Sequence, residues 1–302
     1  MEPIHEYSRK PVTELTARHR KIFSFMDNQE KNIDDAVKDS FGDEWEKFHQ
    51  FSEEEINRIA GEYFDIVDDK LLANATVLDV GCGSGRWAKY IAGKSRFVEA
   101  IDPSHAVFAA DKLLKDVTNI RITQAGVDTI PFADSTFDIV MSIGVLHHVP
   151  DTADAITQCA RKVRTGGHLY LYLYYALDNK GAAFKFLYKV SNTIRLGVSS
   201  LPAKPKQVVC DIFAVTFYMP WVLAGRLLKG VGMKRLAAKL PLSIYQTKSF
   251  YVIRNDSLDR FGTKLEQRFT RKQIEEMMNK AGIGNVRFSE EMPYWHCLGE
   301  RL

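Results

Sequence analysis

Thr76-Val77-Leu78-Asp79-Val80-Gly81-Cys82-Gly83-Ser84-Gly85-Arg86-Trp87 is the stretch that decides the fold. An apolar, β-branched run passes into a turn that holds Gly81, Gly83 and Gly85, and then into a helical pattern ending at Ala92. Such a turn after a parallel strand brings backbone N–H groups close to a ligand, because glycine alone tolerates the dihedrals and the approach. A glycine cluster is weak evidence by itself, and three details narrow its ligand. Counting from Gly81, the third position of a dinucleotide Gly-x-Gly-x-x-Gly pattern is taken by Arg86, which disfavours NAD. Asp79 at the strand end would repel a pyrophosphate and suits a cationic amine. Asp102 ends the next strand, at the distance expected of an acid that binds both hydroxyls of a ribose. An unphosphorylated nucleoside with a charged amino-acid tail satisfies all three.

Outward from this stretch, short β-branched runs alternate with helical patterns. Strands are expected at Thr76–Val80, Phe97–Ile101, Ile120–Thr123, Phe137–Ser142 and His168–Tyr174, with helices at Gly85–Ala92, Ala106–Lys115 and Thr152–Val163. Thr270 and Gln273 form a capping box that opens a C-terminal helix closed by Gly282. After it, Val286–Ser289 and Trp295–Gly299 read as an antiparallel hairpin at the sheet edge. The predicted fold class is therefore α/β: a Rossmann-like, seven-stranded, mostly parallel sheet with helices on both faces and a C-terminal antiparallel hairpin. Residues 1–70 are expected as an N-terminal helical lid and residues 180–248 as a helical cap inserted after the fifth strand. Residues 71–179 and 249–302 form the core.

Composition bounds the rest. A chain of 302 residues with 45% hydrophobic and 26% charged residues is an ordinary globular protein. Its net charge of +3 decides little, but the distribution is uneven: acids crowd the first seventy residues, while 180–248 hold Lys185, Lys189, Arg195, Lys204, Lys206, Arg226, Lys229, Lys234, Arg235 and Lys239 against Asp211. That segment suits an anionic partner or a set of solvated helix faces. Its longest apolar run, Ile212–Gly225, contains Pro220 and is shorter than a bilayer span, so no transmembrane crossing is expected. Cys82, Cys159, Cys210 and Cys297 lie far apart without metal-ligand spacing, which predicts no metal site and a reduced, cytoplasmic protein.

Three ordered segments, LDVGCGSGRW (78–87), AIDPS (100–104) and IPFADSTFDIVMSIGVLHHVPD (130–151), with Thr165-Gly166-Gly167 before the fifth strand, resemble class I S-adenosylmethionine-dependent methyltransferases of the type 11 small-molecule branch. The resemblance covers residues 70 to 175 and the C-terminal helix and hairpin. It implies S-adenosyl-L-methionine as cofactor, with Gly81, Gly83 and Gly85 around the methionine part and Asp79 near its amine. Asp102 and Pro103 would hold the ribose, and the Ser142 backbone would approach the amine. The branch usually has Asp five residues before the proline equivalent to Pro131, touching the adenine amine; here that place holds Gly126, so the Val127 backbone or Asp128 is expected to replace it. Trp45, in Phe41-Gly42-Asp43-Glu44-Trp45, resembles a lid aromatic over the cofactor, and core packing is the other reading of it.

For catalysis, His147 is the candidate general base, with His148 assigned to a helix entry. Tyr174 and Tyr175 end the fifth strand, where alternation lets only one face the acceptor, and Tyr175 is the candidate. The expected reaction is methyl transfer to an oxygen or nitrogen of a small molecule or saccharide bearing a carboxylate or phosphate. A nucleic-acid methyltransferase is the alternative, disfavoured because Ser142-Ile143-Gly144 stands where exocyclic-amine enzymes carry an Asn/Asp-Pro-Pro-aromatic loop. A third reading is a non-catalytic cofactor-binding protein in peripheral contact with a membrane surface.

Overall fold

The computed structural model describes residues 4–27, 30–47, 53–177, 181–291 and 295–302. The chain divides into two compact units: residues 1–179 with 265–302, and residues 180–264.

The first unit is built on a nine-stranded sheet in the order β1-β2-β5-β4-β3-β6-β7-β9-β8. Its strands are β1 (Thr13–Thr16), β2 (Lys21–Ser24), β3 (Thr76–Val80), β4 (Phe97–Asp102), β5 (Ile120–Gln124), β6 (Phe137–Ile143), β7 (Val163–Tyr172), β8 (Ile283–Phe288) and β9 (His296–Arg301). β3 lies at the centre, parallel to β4 on one side and β6 on the other. Every residue of β3 and β4 is buried, which is what near-continuous apolar runs become when helices cover both faces. β9 inserts antiparallel between β7 and β8, so the C-terminal hairpin completes the sheet edge.

The helices of this unit are α1 (Asp35–Lys47), α2 (Glu53–Tyr63), α3 (Asp69–Leu72), α4 (Arg86–Ala92), α5 (Ala106–Leu113), α6 (Thr152–Lys162) and α12 (Arg271–Lys280). One face of the sheet packs Val77, Ala100 and Tyr170 against Ile59, Trp87 and Val107 of α2, α4 and α5. The other packs Leu78, Val140 and Leu171 against Ile156 and Cys159 of α6 and Met278 of α12. Asp151 caps α6, and Thr270 with Gln273 forms the capping box of α12.

Two expectations are corrected. The sheet has nine strands and not seven, because residues 1–70 are not wholly helical: Thr13–Thr16 and Lys21–Ser24 pair as an antiparallel hairpin, and β2 adds parallel to β5. The addition is held by Ser24 Oγ donating to Gln124 Oε1 at 2.7 Å, by a 2.8 Å bond between the Tyr7 and Thr123 hydroxyls, and by burial of Ile22 and Phe25. The inserted segment also runs past 248, to Lys264. It comprises α7 (Ala182–Ser199), α8 (Ala203–Phe213), a π-helical stretch Ala214–Tyr218, α9 (Met219–Gly230), α10 (Lys234–Lys239) and α11 (Phe250–Gly262). α11 stays with this second unit because Ile253 joins Ala214, Tyr218 and Val222 in its core. Arg254 also forms a two-pronged ion pair with Asp211 of α8.

Candidate active site

The sheet order reverses direction of winding between β3 and β6, and an open α/β sheet presents its ligand crevice at the carboxyl ends of such strands. The β3–α4 turn there is shaped by glycine. Gly81, Gly83 and Gly85 all have positive φ (79°, 53° and 82°), a region costly to other residues. Gly81 N and Cys82 N both donate to Ile101 O at the end of β4. A Cβ on Gly81 would stand 2.5 Å from Val145 Cγ1, and one on Gly85 would stand 2.7 Å from Leu114 Cδ1. The first contact brings the loops after β3 and β6 together, and the second seats α4 against α5.

Two carboxylates sit beneath this loop. Asp102 Oδ2 accepts from Gly83 N at 2.9 Å, and Oδ1 accepts from Ser104 N at 2.9 Å and Ser104 Oγ at 2.6 Å. Burial raises its pKa while those donors lower it. Asp79 is 1% exposed, and its Oδ2 has no hydrogen-bond partner among the described residues. Burial, reinforced by the charge of Asp102, pushes the Asp79 carboxyl up to about 8. A buried, under-satisfied carboxyl is expensive unless a cation or donor arrives to meet it. Next to it, Ser142 is wholly buried and its Oγ donates to Val80 O at 2.8 Å, tying β6 to the end of β3.

The rim is supplied by the β5 and β6 loops and the N-terminal segment. Val127 is buried, and Pro103 O accepts from Gln124 Nε2 at 3.3 Å. Asp128 Oδ2 accepts from Lys31 N at 2.7 Å and Asn32 N at 3.3 Å. Asn32 in turn bonds both backbone groups of Asp151 at 2.7 Å. This pins Ile33 over Gly126: a Cβ there would lie 2.7 Å from Ile33 Cδ1 and 3.1 Å from Asp128 Oδ1. Asp128 thus lies beside the position a side chain at 126 would take, and its Oδ1 is buried and unpartnered among the described residues. From this segment α1 runs across the loops. A Cβ on Gly42 would meet Ser104 Cβ at 3.6 Å, and the Phe41 ring lies 5.0 Å from that of His148. Trp45 falls on α1, but its side chain lies outside the described residues.

At the ends of β6 and β7 the structure separates the two tyrosines. Tyr170, Tyr172 and Tyr174 share one face of the sheet, whereas Tyr175 belongs to the opposite core. Tyr174 stacks on His147 with ring centroids 3.8 Å apart and planes at 28°. Tyr175 instead makes an edge contact with Trp295 at 6.2 Å and bridges Phe269 through its backbone. Tyr175, the expected acceptor-facing residue, thus lies on the face of the sheet opposite Tyr174 and His147. His147 is completely buried, with neither ring nitrogen hydrogen-bonded among the described residues, and burial holds its pKa well below 6.5. His148 Nδ1 lies 2.7 Å from Leu265 O, a structural tie. Val145, Asn32, Ile33 and Ser104 are site residues the sequence did not announce, although a serine two positions after Asp102 is a signal for a local Asx-type loop.

Residues 78–171 match the family model for a methyltransferase domain. The chain carries a class I methyltransferase domain of the type 11 family. Over 101 residues it is 36% identical to a ubiquinone biosynthesis O-methyltransferase from Alkalilimnicola ehrlichii, a match covering 32% of this chain and 41% of that one. Over 107 residues it is 40% identical to a tRNA U34 carboxymethyltransferase from Shewanella amazonensis, covering 33% of this chain and 32% of the relative. The chain thus matches less than half the length of these curated relatives. Among solved structures, magnesium protoporphyrin IX methyltransferase from Synechocystis aligns with a TM-score of 0.49 at 14% identity, over 88% of this chain and 95% of that one.

S-adenosylmethionine is the cofactor of the methyltransferase domain. The residues fit it on two counts. Asp79 offers a buried carboxyl with one oxygen unmet among the described residues, the partner a cationic amino group requires. The Gly81–Gly85 turn holds positive φ at all three glycines, the backbone conformation that lets peptide N–H groups come close to a ligand. Among the described residues no cluster of three or more His, Cys, Asp or Glu side chains is disposed to hold a metal ion.

Proposed function

We propose that this chain methylates an oxygen or nitrogen nucleophile on a small molecule or saccharide, with S-adenosylmethionine as donor. The observation that carries the reading is the buried Asp79 Oδ2, unpartnered among the described residues, under the glycine turn of the methyltransferase domain. When bound, the cofactor supplies an electrophilic methyl group on a sulfonium. Asp79 would hold its ammonium, Gly81, Gly83 and Gly85 would line its methionine part, and Asp102 with Pro103 would meet the ribose. At the adenine, Asp128 Oδ1 with the Gly126 and Val127 backbone would stand in for the missing acid at 126. Ser142 fixes the end of β6 by its bond to Val80, and α1 provides cover that keeps water from the site.

Chemistry at the acceptor falls to His147. It is neutral at physiological pH, because burial disfavours the imidazolium, and it keeps a ring nitrogen able to take a proton from the attacking group. Tyr174 positions it by stacking. The two curated relatives each match about a third of the chain and differ in acceptor, so experiment separates the small-molecule and RNA classes. The four cysteines are buried and none of them forms a disulfide, in keeping with a proposed cytoplasmic site of action. Incubation with methyl-labelled S-adenosylmethionine and separate metabolite and RNA extracts tests the proposal. Label should enter the metabolite fraction; label in RNA alone, or in neither, would overturn it.

A further inference from the structure

In the second unit, α8, the π-helical stretch and α9 form one helical run, of which Lys204–Gly230 is long and apolar enough, by length and composition, to cross a bilayer. One face of the run, carrying Cys210, Ala214, Tyr218, Val222 and Gly225, is buried. The opposite face of a surface helix in water is polar. Here it is apolar as well: Ile212, Val215, Phe217, Trp221, Leu223 and Leu227 are exposed, with Phe217 at 56% and Leu227 at 72%. Between Lys206 and Arg226 the sole charged residue is Asp211, and Arg254 neutralises it at 2.7 Å. A continuous apolar surface of this kind marks a binding face.

Charge decides what it binds. Residues 201–248 contain eight Lys or Arg and one Asp. Among the described residues Lys229, Lys234, Arg235 and Lys239, which follow the apolar face, have no acidic partner. A second copy of the chain would bring the same basic cluster against this one and be repelled. An anionic bilayer answers both features, hydrocarbon taking Phe217, Trp221 and Leu223 and headgroup phosphates taking the ammonium and guanidinium groups. We infer that the second unit docks onto an anionic lipid surface, with α8 and α9 lying in the plane of the interface. The run does not cross the bilayer. Its inner face is joined to α11, which carries Arg254, Asp256, Asp259 and Arg260, and those charges belong outside hydrocarbon. The inference stands independently of the methyl-transfer reading.

The test is flotation of the full-length chain with phosphatidylcholine vesicles, with and without phosphatidylglycerol. The chain should float with anionic vesicles, bind neutral ones at least about tenfold more weakly, and be released by alkaline carbonate. A Leu223→Asp/Leu227→Asp variant should remain in the soluble fraction, and Lys234→Glu/Arg235→Glu should bind anionic vesicles about tenfold more weakly or worse. All these residues are exposed, so circular dichroism and the thermal midpoint should match the parent chain. Bromolipid should quench tryptophan emission, and Trp221→Phe should remove that quenching. Failure of the parent chain to float, or unchanged flotation of the aspartate variant, overturns the inference. Resistance to carbonate overturns it in favour of a spanning helix. A dimer that shields Trp221 without binding vesicles overturns it in favour of a second copy.

Discussion

Asp79→Asn separates stability from binding in a way that a purely structural aspartate would not. The folded pKa of Asp79 is about 8, whereas an unfolded aspartate titrates near 3.9. The folded chain therefore retains a proton that the unfolded chain has lost, and stability falls as pH rises from about 4 to about 8, then levels. At about 1.4 kcal/mol per pKa unit, the cost near pH 7 is on the order of 4 kcal/mol at most. Removing the ionisable group should raise the melting temperature of the unliganded protein near neutral pH, with the gain shrinking toward about pH 4. Binding should move oppositely. Near pH 7 a carboxyl with a pKa of about 8 carries about 0.9 proton, and an arriving ammonium must displace it to form the ion pair. Calorimetry with S-adenosylhomocysteine, repeated in buffers of different ionisation enthalpy, should report release of most of one proton. Affinity should climb up to about tenfold per pH unit below about 8. Asp79→Asn should abolish both effects and weaken binding. Equal affinity for the variant, together with no buffer dependence in the parent protein, would refute the assignment of the ammonium to Asp79.

Three further outcomes follow from the geometry. Gly81→Ala, with its Cβ placed 2.5 Å from Val145 and φ at +79°, should cost about 2–4 kcal/mol in urea unfolding, and Val145→Ala should recover the steric part but not the backbone strain. Gly126→Asp, which supplies the acid expected at this position, should destabilise the chain by about 1–3 kcal/mol and fail to tighten cofactor binding, because Ile33 and Asp128 already fill that space. Pairing it with Ile33→Ala should return stability, as thermal melting would show. His147→Gln should lower turnover about a hundredfold or more with cofactor affinity unchanged, and since burial keeps His147 neutral, the acid limb of the parent rate profile should lie well below pH 6.5.

The cofactor half of the first unit was legible because its signals are local. β-branched runs at Thr76, Phe97, Ile120 and Phe137 become buried parallel strands, and the three glycines adopt the positive φ that their turn demands. What escaped is long-range. Thr13–Thr16 and Lys21–Ser24 are too short for a period to register, and they become strands because β5 offers an open edge on which Ile22 and Phe25 can be buried. Tyr174 and Tyr175, just past the end of β7, fall on opposite faces, and which of them meets His147 is a one-residue matter of alternation. Gly126 is the clearest case. As sequence it is a missing acid, but in space it is the gap into which Ile33, ninety-three positions earlier, and Asp128 both press. No pattern within a window of the chain encodes that exchange.

The second unit shows the same limit from the other direction. Lys and Arg alternating with apolar residues are what an amphipathic surface helix requires, and on that pattern alone the segment serves equally as a cap or as a solvated face. The structure assigns the inward positions to small or aromatic residues, Ala214, Tyr218 and Gly225, the last close enough that a Cβ would strike Gln246 Nε2 at 2.1 Å. Four of the basic residues are also spent internally: Arg195 donates to Thr263 O and Lys264 O, Arg226 donates to Gln246 O and Lys248 O, Lys206 donates to Gly262 O, and Lys248 pairs with Asp256. Once the core has taken the small side chains and those four basic residues, the large apolar residues and Lys229, Lys234, Arg235 and Lys239 are left outside together. Hydropathy read along the chain cannot separate a helix that buries its leucines from one that buries its glycines and displays them. That partition, and not the apolar content itself, is why Phe217, Trp221 and Leu227 need a surface to meet.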